Sequence, residues 1–221
     1  MTAGPFVGID LGAQAVQAVS LDESGNLADA KLFAADEGDD VADWAALAKV
    51  IAIDAPDRPS SGAHAGDERL PPKFQRGRCA EAALALVHGY WVPWVTPAQP
   101  EPGSWIELGI SLHGRLRQIS GGEVIEVFPY AAFRHLAPEP LPKKTSVAGV
   151  RTRVGLLGRA GLDDGCLELW THDFLDAALA ALIALQRSRG EAVRVACADD
   201  SRCGHDGSAM WLPRPLPKSA G

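Results

Sequence analysis

Three acidic residues stand where a strand would be expected to bury valine. Asp10 closes the apolar run FVGID, Asp54 closes KVIAID, and Glu126 sits inside EVIEVF. An ionised carboxylate inside a protein is costly unless it is paired, hydrogen-bonded or bound to a metal, so each of these needs a partner. If the three runs belong to one sheet, their carboxylates can converge, and clustered carboxylates are tolerable chiefly when a divalent cation neutralises them. Oxygen-only ligands select Mg2+ or Mn2+ over zinc. A further acid comes from THDFLDAALAALIALQRSRG, where Asp173 and Asp176 are three residues apart and share a helix face with Ala177, Ala180, Ala181 and Ala184. Asp173 has a structural alternative, since an acid in the first turn complements the helix dipole. Asp176 lies a turn further in and is the preferred ligand. Asp10, Asp54, Glu126 and Asp176 are therefore the candidate catalytic acids, with Asp173 beside them as a metal ligand. Two ions held by such a set would activate a water and stabilise the leaving oxygen in phosphodiester hydrolysis.

The charge distribution bears on the partner. A formal charge of -7 argues against broad electrostatic wrapping of nucleic acid. From Arg134 to Arg159, however, six basic residues (Arg134, Lys143, Lys144, Arg151, Arg153 and Arg159) face a single acid, Glu139. A basic strip beside an acidic site suits an enzyme acting on phosphates, and a solvated helix face is the plainer reading of the same run. Four cysteines, Cys79, Cys166, Cys197 and Cys203, show no paired framework and read as reduced thiols. Cys197, Cys203 and His205 in CADDSRCGH lack a CxxC knuckle and a clear fourth ligand, so the cluster reads as a coincidence within a loop.

These residues must be positioned by a sheet and its helices. Residues 5–11, 15–21 and 27–34 read as an antiparallel meander with turns at Gly12 and in LDESGN. DDVADWAALAK places Val41, Trp44 and Leu47 at helical spacing, and KVIAIDAP follows as a short strand apolar on both faces. Residues 56–75 form a loop and 76–88 a helix. The stretch GYWVPWVTPAQPEPG, with three aromatics and four prolines, is irregular but anchored, either a lid over substrate or ordinary loop packing. A helix over 104–119 buries Trp105, Leu108, Leu112, Leu116 and Ile119. EVIEVFP is the next strand and YAAFRHLA a short helix. A helix begins near Ser146, and the long helix is capped by Thr171 and ended by Gly190. AVRVACA and DGSAMWLP read as short peripheral strands. The whole is one domain over 1–221, with a loop or insert region around 56–103 and a Pro-rich tail at 213–221. No apolar segment approaches the ~20 residues that span a bilayer, and the N-terminus lacks signal-peptide features, so a cytoplasmic protein is expected.

An opening such as GIDLG suits two families, the actin-like and sugar-kinase ATPases and the ribonuclease-H-like nucleases. The ATPase reading needs a second phosphate-binding hairpin and an adenosine pocket from a second lobe, and neither is found. The order GIDLG, IAIDAP, RGRCAEAAL, VIEVFP, KKTSVAGVRTRVGLL, HDFLDAALAALIA and DGSAMWLP resembles domain-of-unknown-function family 429, predicted nucleases of the ribonuclease-H-like superfamily, over about residues 6 to 213. The resemblance implies an α/β fold: a ribonuclease-H-like mixed sheet, antiparallel in its first three strands and then parallel, flanked by helices. It places the family's acidic positions on Asp10, Asp54, Glu126 and Asp176, with Asp173 adjacent, and its basic and polar positions on Arg78, Glu81, Lys144, Arg151 and Asp206. Arg78, Lys143, Lys144, Arg151 and Arg153 are the candidate substrate-binding residues, Mg2+ or Mn2+ the implied cofactor, and DNA or RNA the implied partner. The tryptophan that many members carry in the second strand is missing from AQAVQAV. A catalytically idle nucleic-acid-binding or scaffold protein on the same fold is the alternative.

Overall fold

The computed structural model describes residues 3–137, 139–162, 170–197 and 203–217; Cys166 and the end of the C-terminal tail lie outside them. Strands β1 (Phe6–Leu11), β2 (Ala15–Leu21) and β3 (Leu27–Ala34) form the antiparallel meander. In β3 half-buried and exposed residues alternate along its whole length, as befits an edge strand with one face in water. Helix α1 (Gly38–Ala45) leads into β4 (Val50–Asp54), which pairs parallel with β1. Helix α2 (Cys79–His88), helix α3 (Trp105–Ile119), strand β5 (Glu123–Val127) and helices α4 (Pro129–Leu136), α5 (Val147–Arg159) and α6 (His172–Ser188) follow. Strands β6 (Val193–Val195) and β7 (Met210–Leu212) close the chain, β7 parallel to β5 and β6 antiparallel to β7. The sheet order is β3-β2-β1-β4-β5-β7-β6, an α/β mixed sheet compatible with a ribonuclease-H-like fold.

The two faces of the sheet carry separate cores. On one, Val7, Ile9, Ile51 and Ile53 meet α1 and α3. On the other, Phe6, Ala52, Ile125 and Val127 meet α2, α4, α5 and α6. The seat of α6 depends on small residues on both sides. A Cβ built on Gly8 in β1 would lie 2.1 Å from both the Ala177 carbonyl oxygen and the Ala181 amide nitrogen. Glycine in the strand and alanine in the helix bring the two backbones together, and every residue from Leu175 to Gln186 is buried as a result.

One expected helix is shorter in the structure. The helix of DDVADWAALAK stops at Ala45, leaving Leu47 74% exposed rather than on its apolar face. The chain has to turn there to enter the sheet: the Ala48 amide bonds to the Ala45 carbonyl, and the Lys49 amide to the Pro5 carbonyl. Among the described residues, no helix is long and apolar enough to cross a membrane.

Candidate functional site

Asp10 and Asp54 end neighbouring parallel strands and lie directly opposite each other in the register. Because side chains alternate along a strand, Asp10 shares its face with Gly8, and Asp54 shares its face with Ala52. That is the face covered by α6, whose second turn carries Asp176 near enough for its charge to act on both strand acids. Asp10 and Asp176 are 6% and 5% exposed, and Asp54 is half-buried. Burial, reinforced by the charge of Asp176, raises the Asp10 pKa to about 7. Burial and then the charges of Asp10 and Asp176 push Asp54 well above the usual carboxylate range. Asp176 is also raised by burial, against the opposing pull of Lys144. Burial and mutual repulsion therefore disfavour ionising all three acids together.

Lys144 is the cation that meets it, with Nζ 3.2 Å from both Asp173 Oδ1 and Asp176 Oδ2. Burial works against its charge, but Asp176 and Asp173 outweigh burial and raise its pKa. The turn carrying Lys143 and Lys144 is set by the cap of α5. The Ser146 hydroxyl and amide both donate to the Lys143 carbonyl, at 2.7 and 3.0 Å, while the hydroxyl oxygen accepts from the Gly149 amide. His172, Asp173 and Asp176 also present nitrogen and oxygen atoms close enough together to share an ion.

Asp54, Asp176, Lys143, Lys144 and Arg153 line a cleft of about 440 Å3 together with Trp91 and Tyr130. Both aromatics are close to half exposed. Trp91 belongs to the Pro-rich stretch after α2, so that stretch contributes a wall of the cleft. Arg153 is anchored within the protein: Nη1 donates to the Gly149 carbonyl at 3.1 Å, and the guanidinium lies 5.2 Å over the Phe133 ring. Its Nε is buried with no partner among the described residues. Burial lowers its pKa, and Asp176 acts in the opposite direction.

Three of the residues expected at this site lie elsewhere. Glu126 is in register with Ile53, not Asp54, and therefore projects from the α1/α3 face of the sheet. There its two carboxylate oxygens accept from Arg78 Nη2 at 2.6 Å and Nη1 at 2.7 Å, and one also accepts from the Asp57 amide. Arg78 was expected to meet substrate, but it is wholly buried. Besides Glu126 it contacts Glu81 and Thr96 through Nε and Asp57 through Nη1. Burial opposes its charge, but Glu126 and Glu81 more than compensate and raise its pKa. Arg78 and Glu126 thus form a bidentate ion pair that ties the start of α2 to β5. Glu81 accepts from the Arg78 and Thr96 amides and so caps α2 from within. Arg151 is exposed on α5 and borders a separate depression with Val147, Val150 and Val154.

A second group of residues assembles away from the acids. Cys197 and Cys203 meet, but their companions are Cys79 and His64, not His205. The two residues beside Cys197 and Cys203 come from outside CADDSRCGH, His64 from the loop after β4 and Cys79 from the first residue of α2. Their separation in sequence, more than 100 residues from Cys197, left no spacing signal to find. Asp206 serves this neighbourhood, its Oδ2 accepting from the Cys79 amide and its Oδ1 from Ser208.

One comparison with known proteins bears on this arrangement. Residues 108–201 match the family described as "Protein of unknown function (DUF429)". The DUF429 match spans less than half of the chain and runs from within α3 past α6, so it contains Glu126, Lys143, Lys144, Arg151, Arg153, Asp173 and Asp176. Asp10, Asp54 and Arg78 precede it, and the motifs GIDLG and IAIDAP lie outside the matched span. Searches of curated proteins and of solved structures returned no match.

Proposed function

We propose that this chain is a Mg2+- or Mn2+-dependent phosphodiesterase acting on nucleic acid. The observation that carries the reading is that Asp10 and Asp54 lie opposite each other at the ends of β1 and β4, under the charge of Asp176, beside a cleft that also presents Lys143, Lys144 and Arg153. A hard divalent cation fits this set: the donors are all carboxylate oxygens, and burial followed by neighbouring carboxylates raises the pKa values of Asp10 and Asp54, a penalty that a bound cation would relieve. Asp10, Asp54 and Asp176 would hold the ion, with Asp173 as an additional oxygen ligand. When bound, it would supply a Lewis acid for the phosphate oxygens and lower the pKa of an attacking water.

The chain's own residues do the positioning. Lys143 offers a charge to substrate phosphate at the rim of the cleft, while Lys144 holds Asp173 and Asp176 in place. Trp91 and Tyr130 present exposed rings on which unpaired bases can stack. Glu126 and Arg78 tie the C-terminal end of β5 to the start of α2 from the other face of the sheet and take no part in the chemistry.

The test is a panel of single-stranded and structured DNA and RNA incubated with the wild-type chain, Asp10→Asn and Lys143→Ala, in Mg2+, in Mn2+ and in chelator. Cleavage that requires the ion and is lost in Asp10→Asn supports the reading. Lys143→Ala should weaken substrate binding and reduce the salt dependence by about one counterion. Ion-independent binding without cleavage would favour the idle scaffold and overturn the enzyme.

A further inference from the structure

The cysteines that the acid site leaves unused are arranged for a different ion. His64, Cys79, Cys197 and Cys203 each offer one ligand atom, and those four atoms all lie within 4.8 Å of one another. Cys79 Sγ is 3.1 Å from Cys203 Sγ, and His64 Nε2 is 3.2 Å from Cys197 Sγ and 3.5 Å from Cys203 Sγ. A tetrahedron with metal–sulfur bonds of about 2.3 Å and a metal–nitrogen bond of about 2.0 Å has edges of roughly 3.5–3.8 Å. The four atoms need only small adjustments to reach it.

We infer that His64 Nε2 and the thiolates of Cys79, Cys197 and Cys203 form a structural zinc site. The surroundings support this independently of the four distances. His64 is 1% exposed, and its other ring nitrogen, Nδ1, lies 3.3 Å from Asp67 Oδ2. A proton on Nδ1 shared with that carboxylate leaves the lone pair of Nε2 facing the sulfurs, the carboxylate–histidine arrangement that orients imidazole ligands. Asp67 is in turn held by Arg69, whose Nε and Nη2 donate to it at 2.8 and 2.7 Å. Two backbone amides point at the sulfurs, His205 N at 3.4 Å from Cys203 Sγ and Asp206 N at 3.4 Å from Cys79 Sγ. Such donors favour the charged thiolate over the thiol.

A coordinating thiol is deprotonated outright by the bound cation, so the three cysteines would serve as thiolates. Three sulfurs and one nitrogen select zinc, whereas the oxygen-only cluster of Asp10, Asp54 and Asp176 selects a hard ion, so the two sites sort their metals by ligand type. Four protein ligands leave no open position, which makes the zinc structural. It would pin the loop after β4, the start of α2 and the chain between β6 and β7 to one another. Cys79 immediately follows Arg78, so the same clamp steadies the buried Arg78–Glu126 pair.

Zinc is measured by elemental analysis on protein purified under reducing conditions with zinc present and then gel-filtered. The wild-type chain should carry one zinc ion, Cys203→Ser and His64→Ala should lose it, and Asp10→Asn should keep it. Because the cysteine and histidine variants could fail to fold, cobalt replacement of zinc in the wild-type chain provides a second readout. Tetrahedral ligand-field bands and a thiolate-to-cobalt charge-transfer band are expected. A wild-type chain that takes up no zinc after reduction and reconstitution, a six-coordinate cobalt spectrum, or a Cys79–Cys203 disulfide with no metal uptake after its reduction would each overturn the site. Loss of zinc in Asp10→Asn would do the same.

Discussion

Replacing Asp10 with Asn removes one charge from the acid cluster and keeps the shape of the side chain, so its effect on stability separates a metal ligand from a structural carboxylate. Burial and Asp176 raise the Asp10 pKa from 3.8 to about 7. That rise corresponds to about 4 kcal/mol of penalty on the ionised side chain in the ion-free fold, an upper figure because Asp54 shares the same proton. The sign follows from proton binding. Between about pH 4 and pH 7 the folded chain retains a proton that the unfolded chain has lost, so this group's contribution falls as pH rises through that window and stays low above it. Asn carries no charge at any pH and can still hydrogen-bond Asp54. In chelator at pH 8, Asp10→Asn should therefore be as stable as the wild type or more stable, by up to about 4 kcal/mol, and near pH 4 the two should converge. Millimolar Mg2+ should raise the wild-type midpoint, because an ion that binds only the native state stabilises it, and should leave the variant unchanged. Urea unfolding in chelator and in Mg2+ at both pH values reads all of this. If Asp10→Asn loses several kcal/mol in chelator at pH 8 and responds to Mg2+ like the wild type, Asp10 is a structural strand end and the reasoning fails.

Three further outcomes concern the frame around the site. Gly8→Ala drives a methyl group into the backbone of α6 and should cost about 3 kcal/mol or more; an unchanged melting temperature would mean that α6 does not lie on β1 as described. Glu126→Gln leaves Arg78 buried without its bidentate carboxylate and should cost about 3 kcal/mol in denaturant unfolding, with the Mg2+ response intact; loss of that response would return Glu126 to the metal site. His113 is buried with Nε2 donating to the Ala55 carbonyl, and burial lowers its pKa to about 4. Its stabilising contribution is complete above about pH 6.5 and is lost as pH falls through about 4, a total of about 3 kcal/mol, opposite in sign to the Asp10 effect. His113→Gln should flatten that acid limb in a pH series of unfolding curves, and an unaltered limb contradicts the assignment.

The fold was largely legible in the sequence because its signals are local. The alternating and apolar runs mark the meander and β4, and the alanines of α6 announce a helix lying close on a sheet. The site was legible in part. Asp10, Asp54 and Asp176 stand out because an acid in an apolar run or on an apolar helix face needs a partner. Glu126 carried the same signal, but a single-residue offset in register puts it on the other face of the sheet, and strand register is not written in the strand's own residues. Arg78 reads as a surface cation until its three acidic neighbours, distant in sequence except for Glu81, are seen around it. The His64–Cys79–Cys197–Cys203 group was illegible for the same reason, being made by tertiary contact between segments with no common spacing.

The central claim is that Asp10, Asp54 and Asp176 hold a hard divalent cation. Titration of the chain with Mn2+, following the electron paramagnetic resonance signal of the free ion, tests it most directly. The wild-type chain, with its thiols saturated with zinc beforehand, should deplete the free signal until its sites are filled, and Mg2+ should restore it by competition. Asp54→Asn, equally folded and equally loaded with zinc, should leave the signal close to that of buffer. Equal depletion by the wild type and Asp54→Asn would show that the manganese binds elsewhere and would contradict the account.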